Sequence, residues 1–165
     1  MHPPLHQQTS RRFANTVNQS LEDVGDQQRL TQEIQIDRQF MEMLDSYRTT
    51  NGLARAQEVF TMYKFHHGTD VATLARWIVK REVISFDWQS KVWIPLFQFD
   101  RTDKSILPGM NLVLSVLNPF FGPWEMAIWF AQPNRCLQGR TPAEAMGSDP
   151  HGVLSAACMD RFIAV

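Results

Sequence analysis

Residues 124–144 of the chain read WEMAIWFAQPNRCLQGRTPAE, and this stretch carries the clearest local structural signals in the sequence. It predicts a helix first, with Pro123 at the first position, where a proline sacrifices no helical hydrogen bond. Apolar side chains recur along one face of that helix at Trp124, Ala127, Ile128 and Ala131. Pro133 then ends the helix, because a proline disfavours helical geometry in the residue before it.

The second half of the stretch predicts a tight loop and the start of another helix. Asn134 and Gly139 are the residues that most readily adopt turn conformations there. The segment TPAE at 141–144 supplies a threonine cap, a proline at the first helical position and a glutamate that completes a capping box. Two helices are therefore expected on either side of a rigid loop, residues 132–140, which we call the knuckle loop.

The same stretch resembles a known protein family through a set of spaced residues. These are Trp129-Phe130, Pro133-Asn134, Leu137, Gly139 and Thr141-Pro142. The toxin-binding domain of Xre/MbcA/ParS-type bacterial antitoxins has a helix ending in a tryptophan and an apolar residue, followed by the similar pattern P-N-x-x-L-x-G-x-x-P. Upstream, PLFQFD at 95–100 resembles a P-x-F-Q-F-D segment that precedes this domain in some members. The first half of the chain shows no helix-turn-helix of the Xre repressor type.

The resemblance implies a small all-helical C-terminal domain, residues 105–165, that binds and neutralises a cognate protein toxin. Such toxins are often of the RES type, which degrades nicotinamide dinucleotide. The resemblance also implies a homo-oligomer that represses its own promoter by binding DNA. The predicted toxin-binding residues within the domain are Trp129, Pro133, Asn134, Leu137, Gly139 and Arg140.

The end of the chain adds two residues to this predicted surface. Arg161 and Phe162 are included because an arginine beside a large apolar side chain has the composition of an interface anchor. A terminus folded back on the core is the alternative interpretation.

Composition limits the class of protein. The chain has 165 residues, 44% of them hydrophobic, which suffices for one good core or two small domains. A formal net charge of -1 excludes an overall basic nucleic-acid binder but not a local basic patch. No apolar run reaches membrane-spanning length, and the start lacks an apolar signal core. The two cysteines have neither metal nor redox spacing. A cytoplasmic protein without cofactor, metal or membrane contact is expected.

The first half of the chain predicts an arm and a helix-turn-helix pair. Residues 1–27 are polar and are interpreted as a mobile N-terminal arm. Residues 28–47 carry an apolar helical stripe, which is either core or a dimer seam. Asn51 is expected to cap a second helix and Thr69 or Asp70 a third, with a glycine-containing turn between them.

A β-hairpin is predicted next. Residues 83–99 alternate with period two, and Gln89-Ser90 is a plausible tight connection. Pro95 is expected to place the second strand at a sheet edge. Helix, turn, helix and hairpin in this order are typical of a small winged helix, an analogy of topology rather than of function.

The predicted fold class is therefore mainly α. The arm (1–27) precedes a helical winged-helix-like region with a helix-turn-helix-like pair and one small β-hairpin (28–104). The all-helical toxin-binding domain (105–165) follows, with the polar connector 100–105 at the boundary. Within this last domain, helices are expected to start at Pro108 and at Asp149, which acts as a cap for Pro150.

A local group of basic residues makes DNA binding plausible. Arg76, Lys80 and Arg81 lie on or just beyond the third helix, where a winged helix would contact phosphates. A solvated helix face explains the same charges equally well.

Catalytic motifs are missing from the sequence. His66 and His67 are adjacent, so their side chains diverge, and no Cys, Asp or Glu at metal spacing completes a ligand set. No phosphate loop, nucleophile elbow or paired-acid motif is present. We therefore expect a binding protein and no enzyme. The alternatives to an antitoxin are a DNA-binding transcriptional regulator or a protein-binding adaptor, either without a toxin partner.

Overall fold

The computed structural model describes residues 5–64 and 71–161, with side chains from residue 26 onward within those ranges. The protein is mainly helical and has one small antiparallel sheet, which confirms the predicted fold class. Its contacts divide the chain into two compact units, Met1–Gln39 and Phe40–Val165. Each unit is described by itself.

The first unit consists of most of helix α1, which spans Leu5–Ser46. The predicted arm is thus helical from Leu5, and no break occurs near residue 27. The reason is that a helix requires helix-forming residues rather than an apolar stripe. No proline occurs between Leu5 and Ser46, and Gly25 is the only glycine. Leu30 and Ile34 are 59% and 53% exposed, so they are not core residues of this chain, which was one of the two interpretations of the apolar stripe.

The second unit begins with the last turns of α1. Phe40, Met43 and Tyr47 are buried at helical spacing and start its main core, whereas Met41 is exposed. A 3-10 helix, Tyr47–Thr50, ends at Asn51 and Gly52, both of which have positive φ angles.

This turn corrects the prediction that Asn51 caps a helix. The chain instead enters strand β1, Leu53–Arg55, and helix α2 runs from Ala56 to Lys64. A positive φ at Asn51 and Gly52 is incompatible with a helix start, and the Glu58 carboxylate supplies the first polar contact by accepting from the Arg55 N–H at 2.8 Å. β1 was not predicted because its three residues do not belong to a longer alternating run of the kind that predicts the hairpin at residues 83–99.

Helix α3 and the hairpin complete this region. α3 spans Val71–Val79, while the turn predicted before it and the caps Thr69 and Asp70 lie outside the described residues. Strands β2, Phe86–Trp88, and β3, Lys91–Pro95, pair antiparallel and confirm the hairpin. Gln89 and Ser90 have φ angles of 48° and 57°, as a two-residue type I′ turn requires.

The position of β3 corrects the edge-strand prediction. The strand order is β1-β3-β2, so β3 is central and Pro95 is its last residue, opposite Leu53. Proline is tolerated there because the next residue, Leu96, donates to the Gly52 carbonyl at 2.9 Å and continues the hydrogen bonding past it. Helix, strand, two helices and a hairpin with this strand order resemble a winged helix in topology alone, and residues 40–99 are called the winged-helix region in this sense.

Four helices follow: α4 at Met110–Leu117, α5 at Pro123–Ala131, α6 at Pro142–Met146 and α7 at Pro150–Asp160. The starts predicted for α5, α6 and α7 are confirmed. α4 begins two residues later than predicted, after Gly109, which has a φ of 88°. A Cβ at Gly109 would lie 3.0 Å from the Pro150 Cβ, so glycine permits the close packing of α4 against the start of α7.

The main core spans the boundary predicted at residues 104/105. It combines Tyr47, Phe86 and Phe97 with Leu117 and Phe130, and a smaller core lies around α2, α3 and β3. The predicted boundary therefore falls inside the second unit.

Gln98, in the PLFQFD segment, is fully buried, and its side chain bonds to the backbone of Ile84, before β2, and of Pro95, the last residue of β3. Its amide accepts from the Ile84 N–H at 2.7 Å and donates to the carbonyls of Ile84 and Pro95 at 2.9 and 2.8 Å. These bonds satisfy the buried amide and fix the position of the backbone directly after β3.

Candidate functional site

Hydrogen bonds of Asn134, from its side chain and its backbone, close the knuckle loop. Its side-chain oxygen accepts from the Cys136 N–H at 2.9 Å, and its own N–H donates to the Arg140 carbonyl at 3.0 Å. Its carbonyl accepts from the N–H groups of Leu137 and Gly139 at 3.1 and 3.0 Å. Leu137 is buried in the main core and holds the centre of the loop down.

Asp160, at the end of α7, fastens the loop to two helices. One carboxylate oxygen, Oδ2, accepts from the Trp129 indole N–H at 2.9 Å and from the Asn134 side-chain amide at 2.7 Å. The end of α5, the start of the loop and the end of α7 therefore meet at one atom. Charge-assisted bonds of this kind are stronger than neutral ones.

Sequence reasoning missed Asp160, although one signal for it existed. A carboxylate in the last turn of a helix is opposed by the helix dipole, so an acid there indicates a compensating partner. The partners, Trp129 and Asn134, lie 31 and 26 residues away and could not be identified from local spacing.

The far end of the loop is braced by a second set of contacts. The predicted capping box is present: the Thr141 N–H donates to Glu144 at 2.9 Å, and the Glu144 N–H donates to the Thr141 hydroxyl at 3.2 Å. Arg140 donates to the Ser148 hydroxyl at 3.2 Å and lies 4.0 Å from the Asp149 carboxylate. Asp149 also accepts from the Gly152 N–H at 2.8 Å and so caps α7, as predicted.

The outward side of the loop carries basic and sulfur-containing side chains. Met159 is 62% exposed, and its sulfur lies 3.8 Å from the Cys136 sulfur. The sequence of the loop contains two arginines and no acidic residue. We define the knuckle face by its exposed members, which are Pro133, Arg135, Cys136, Gln138, Arg140 and Met159.

The predicted toxin-binding residues divide into two groups. Trp129, Asn134 and Leu137 are buried or half-buried and support the loop from within. Pro133, Gly139 and Arg140 are exposed. Arg161 caps the end of α7 and is half-buried, and Phe162 lies outside the described residues. Their contact with a partner protein stays a prediction.

The predicted DNA-binding residues also divide. Arg76 and Lys80 are exposed on the outer side of α3 and just beyond it, near Val79, which is 82% exposed. Arg81 instead donates to the Phe121 carbonyl at 2.8 Å, and its own carbonyl accepts from the Asn118 amide at 3.2 Å. Arg81 thus fastens the end of α3 to the turn between α4 and α5.

The surroundings of Tyr47 and Asp103 shift the pKa values of these two side chains. Burial raises the pKa of Tyr47, whose hydroxyl donates to the Ala127 carbonyl at 2.6 Å. Hydrogen bonds from Ser105, first from its N–H, lower the pKa of Asp103. Among the residues that the structure describes, no group of three His, Cys, Asp or Glu could hold a metal ion, and His66 and His67 lie outside them.

Within residues 5–64 and 71–161, no helix has both the length and the apolar character needed to cross a membrane. In comparisons with models of protein families, with curated proteins and with solved structures, nothing matched this chain.

Proposed function

We propose that the chain is the antitoxin of a bacterial type II toxin–antitoxin pair and that it binds and neutralises a cognate toxin, for which the RES type is one candidate, through the knuckle face. The role is stoichiometric binding in the cytoplasm by a homo-oligomer, with no cofactor and no chemistry of its own. The observation that supports the proposal most is the junction of Trp129, Asn134 and Asp160. Two of its three members belong to the motif that resembles the antitoxin family.

The geometry of the loop suits protein binding. Because both of its ends are fixed by hydrogen bonds, little backbone entropy is lost when a partner binds. The knuckle face offers arginine and a polarisable methionine, residue types that interfaces favour. Its basic character calls for carboxylates on the partner's surface.

Charge reversal on the knuckle face tests the toxin-binding role. The variant Arg135→Glu with Met159→Glu is expected to lose protection when it is co-expressed with the protein encoded by the adjacent reading frame. Lys91→Glu is the control, because Lys91 is also an exposed cation and lies on the hairpin, away from the knuckle loop in sequence. Thermal unfolding of the purified variants shows whether the fold is kept. Full protection by the folded double variant would refute the assignment of the knuckle face.

A second activity, binding of promoter DNA, is supported by the winged-helix strand order and by the exposed cations of α3. In this role the protein represses its own promoter. Fluorescence anisotropy with the upstream DNA, at two salt concentrations, tests it, since phosphate contacts weaken steeply as salt rises. DNA binding without any toxin protection would favour a transcriptional regulator, and neither activity would favour an adaptor.

A further inference from the structure

A pocket of about 310 Å³ lies between α2, the segment after β3 and the connector at residues 100–105. Its floor is apolar and includes Val59, Tyr63 and Phe99, all buried side chains of the smaller core. Arg101 and Lys104 are among the residues that line it from the connector. A cavity of this size, with an apolar floor and a few polar groups, is the form that small-molecule sites take.

The wall formed by the connector is pre-organised. One Asp100 carboxylate oxygen accepts from the N–H groups of Thr102 and Asp103 at 2.7 and 3.3 Å, and the Asp100 N–H donates to the Ser105 carbonyl at 2.8 Å. The Tyr63 hydroxyl, from α2, donates to the Lys104 carbonyl at 2.6 Å. The segment predicted as a simple polar connector is therefore a closed turn that is fastened to the pocket floor.

The two cations of the wall are also held in place. Arg101 donates through Nη2 to the side-chain oxygen of Asn51, on the opposite side of the pocket. The Lys104 ammonium donates to the Arg101 carbonyl at 2.7 Å. Asp100 also lines the pocket, and one of its carboxylate oxygens, Oδ1, is held by the two N–H groups of its own turn, whereas each cation keeps further donors.

We propose that this pocket binds a small monocarboxylic acid with a compact apolar body. The apolar body would lie against Met62 and Leu96, the partly exposed apolar residues that line the pocket above its buried floor. The carboxylate would accept hydrogen bonds from Arg101 and Lys104. Two fixed cations beside an apolar floor complement such a ligand better than they complement a neutral or cationic one.

Binding there bears on helix α3. Tyr63 and Phe99 both pack against Trp77 of α3, with ring centroids 6.3 and 6.4 Å apart. A ligand on this floor therefore stabilises the core that supports α3. The site goes beyond the proposed antitoxin function and does not depend on it.

The test uses the full chain and three probes of one shape: 3-phenylpropionate, 3-phenylpropanamide and 3-phenylpropylamine. NMR titration is followed at the Met62 methyl group, which lines the pocket, and at the backbone amides of residues 100–105. The acid is expected to bind saturably and about tenfold more tightly than the amide, since ionic hydrogen bonds are stronger than neutral ones. The amine is expected to bind more weakly than both.

Variants locate the charge requirement. Arg101→Gln with Lys104→Gln is expected to remove the preference for acid over amide. Arg48→Gln is the matched control, because Arg48 is an exposed cation that does not line the pocket. Equal binding of acid and amide by the unaltered chain would overturn the proposal and indicate a site for an apolar side chain. Tighter binding of the amine, no saturable shift at millimolar acid, or shifts confined to other residues would overturn it as well.

Discussion

Single side chains decide the geometry of the knuckle loop, and they do so through contacts of different range. The capping box of Thr141 and Glu144 spans three residues and was readable from the sequence. Asp160 acts over 31 and 26 residues, so its role appears only when α5 and α7 are placed side by side. Gln98 is similar: its partner Ile84 lies 14 residues away. Local bonds are predictable because the backbone fixes their geometry, whereas distant ones require the fold.

The junction at Asp160 predicts a clear hierarchy of variants. Asp160→Ala leaves the Trp129 indole and the Asn134 amide without their acceptor, and it should lower the free energy of unfolding by about 2 kcal/mol. Asp160→Asn retains an acceptor and should cost less. Urea denaturation measures both.

Asp45→Ala serves as the control, because Asp45 forms only an exposed ion pair with Arg48, a type of contact worth little. If Asp160→Ala were no more destabilising than this control, the junction would contribute nothing to the stability of the loop.

The buried hydroxyl of Tyr47 should make the free energy of unfolding depend on pH in the alkaline range. Its burial raises the pKa of the hydroxyl in the folded protein, while the unfolded chain ionises near the ordinary value of about 10. The free energy that the neutral Tyr47 hydroxyl contributes to the folded state is therefore fully present below about pH 10. It is lost as the pH rises above that value, by at most about 1.4 kcal/mol per pH unit for one tyrosine. Burial, and then the charge of Asp103, raises the pKa of Tyr63 in the same direction.

Tyr47→Phe should make this alkaline loss shallower. At neutral pH the variant should cost about 1 kcal/mol, the worth of the hydrogen bond to the Ala127 carbonyl. Urea denaturation between pH 8 and 11 checks both effects. An unchanged pH slope in Tyr47→Phe would mean that Tyr47 does not carry the linkage.

In the winged-helix region, sequence patterns predicted some helices and strands correctly and missed others. The hairpin was predictable because β2 and β3 alternate and a two-residue turn joins them. β1 lies outside the alternating run at residues 83–99 and directly before α2, so it was missed, and Pro95 was wrongly assigned to a sheet edge. Helix α1 was underestimated for a related reason, since a polar helix lacks an apolar stripe to reveal it.

The basic residues on and just beyond α3 are expected to respond differently to alanine substitution. Arg76→Ala with Lys80→Ala should leave the fold intact, weaken binding to promoter DNA and reduce the slope of log affinity against log salt by about 2. Arg81→Ala should instead lower the free energy of unfolding by about 0.5–1 kcal/mol, because it loses the bond to the Phe121 carbonyl.

Double-mutant cycles sharpen the distinction. Arg81→Ala removes the guanidinium bond to the Phe121 carbonyl, whereas Asn118→Ala removes a separate bond to the Arg81 backbone carbonyl, which alanine at 81 keeps. Both changes should lower the free energy of unfolding, and the cycle measures how far these two bonds between the end of α3 and the α4–α5 turn depend on each other. Unchanged stability of Arg81→Ala together with a loss of salt slope equal to that of Arg76→Ala would instead assign Arg81 to the residues that contact phosphate.

The second unit as a whole depends on side chains from both sides of the predicted boundary at 104/105. Composition changes at the connector suggested two domains, but composition does not report which elements share a core. The main core places Phe86 and Phe97 against α5, where Phe86 meets Trp124 and Phe97 meets Phe130 at ring distances of 5.3 and 5.2 Å. Such packing between segments far apart in sequence was not recoverable from local patterns.

This shared core predicts the behaviour of fragments. A fragment of residues 105–165 loses Tyr47, Phe86 and Phe97 from its core and loses the Tyr47 bond to Ala127, so it should not unfold cooperatively. Residues 40–161 keep these contacts and should show a single transition. Circular dichroism during heating, with the dispersion of NMR amide signals, distinguishes the two outcomes. Cooperative unfolding of 105–165 alone would establish the boundary at 104/105 and would show that the toxin-binding region folds without the winged-helix region. A broad transition for 105–165 beside a sharp one for 40–161 would mean that the knuckle face is held in shape by aromatic side chains from the preceding half of the chain.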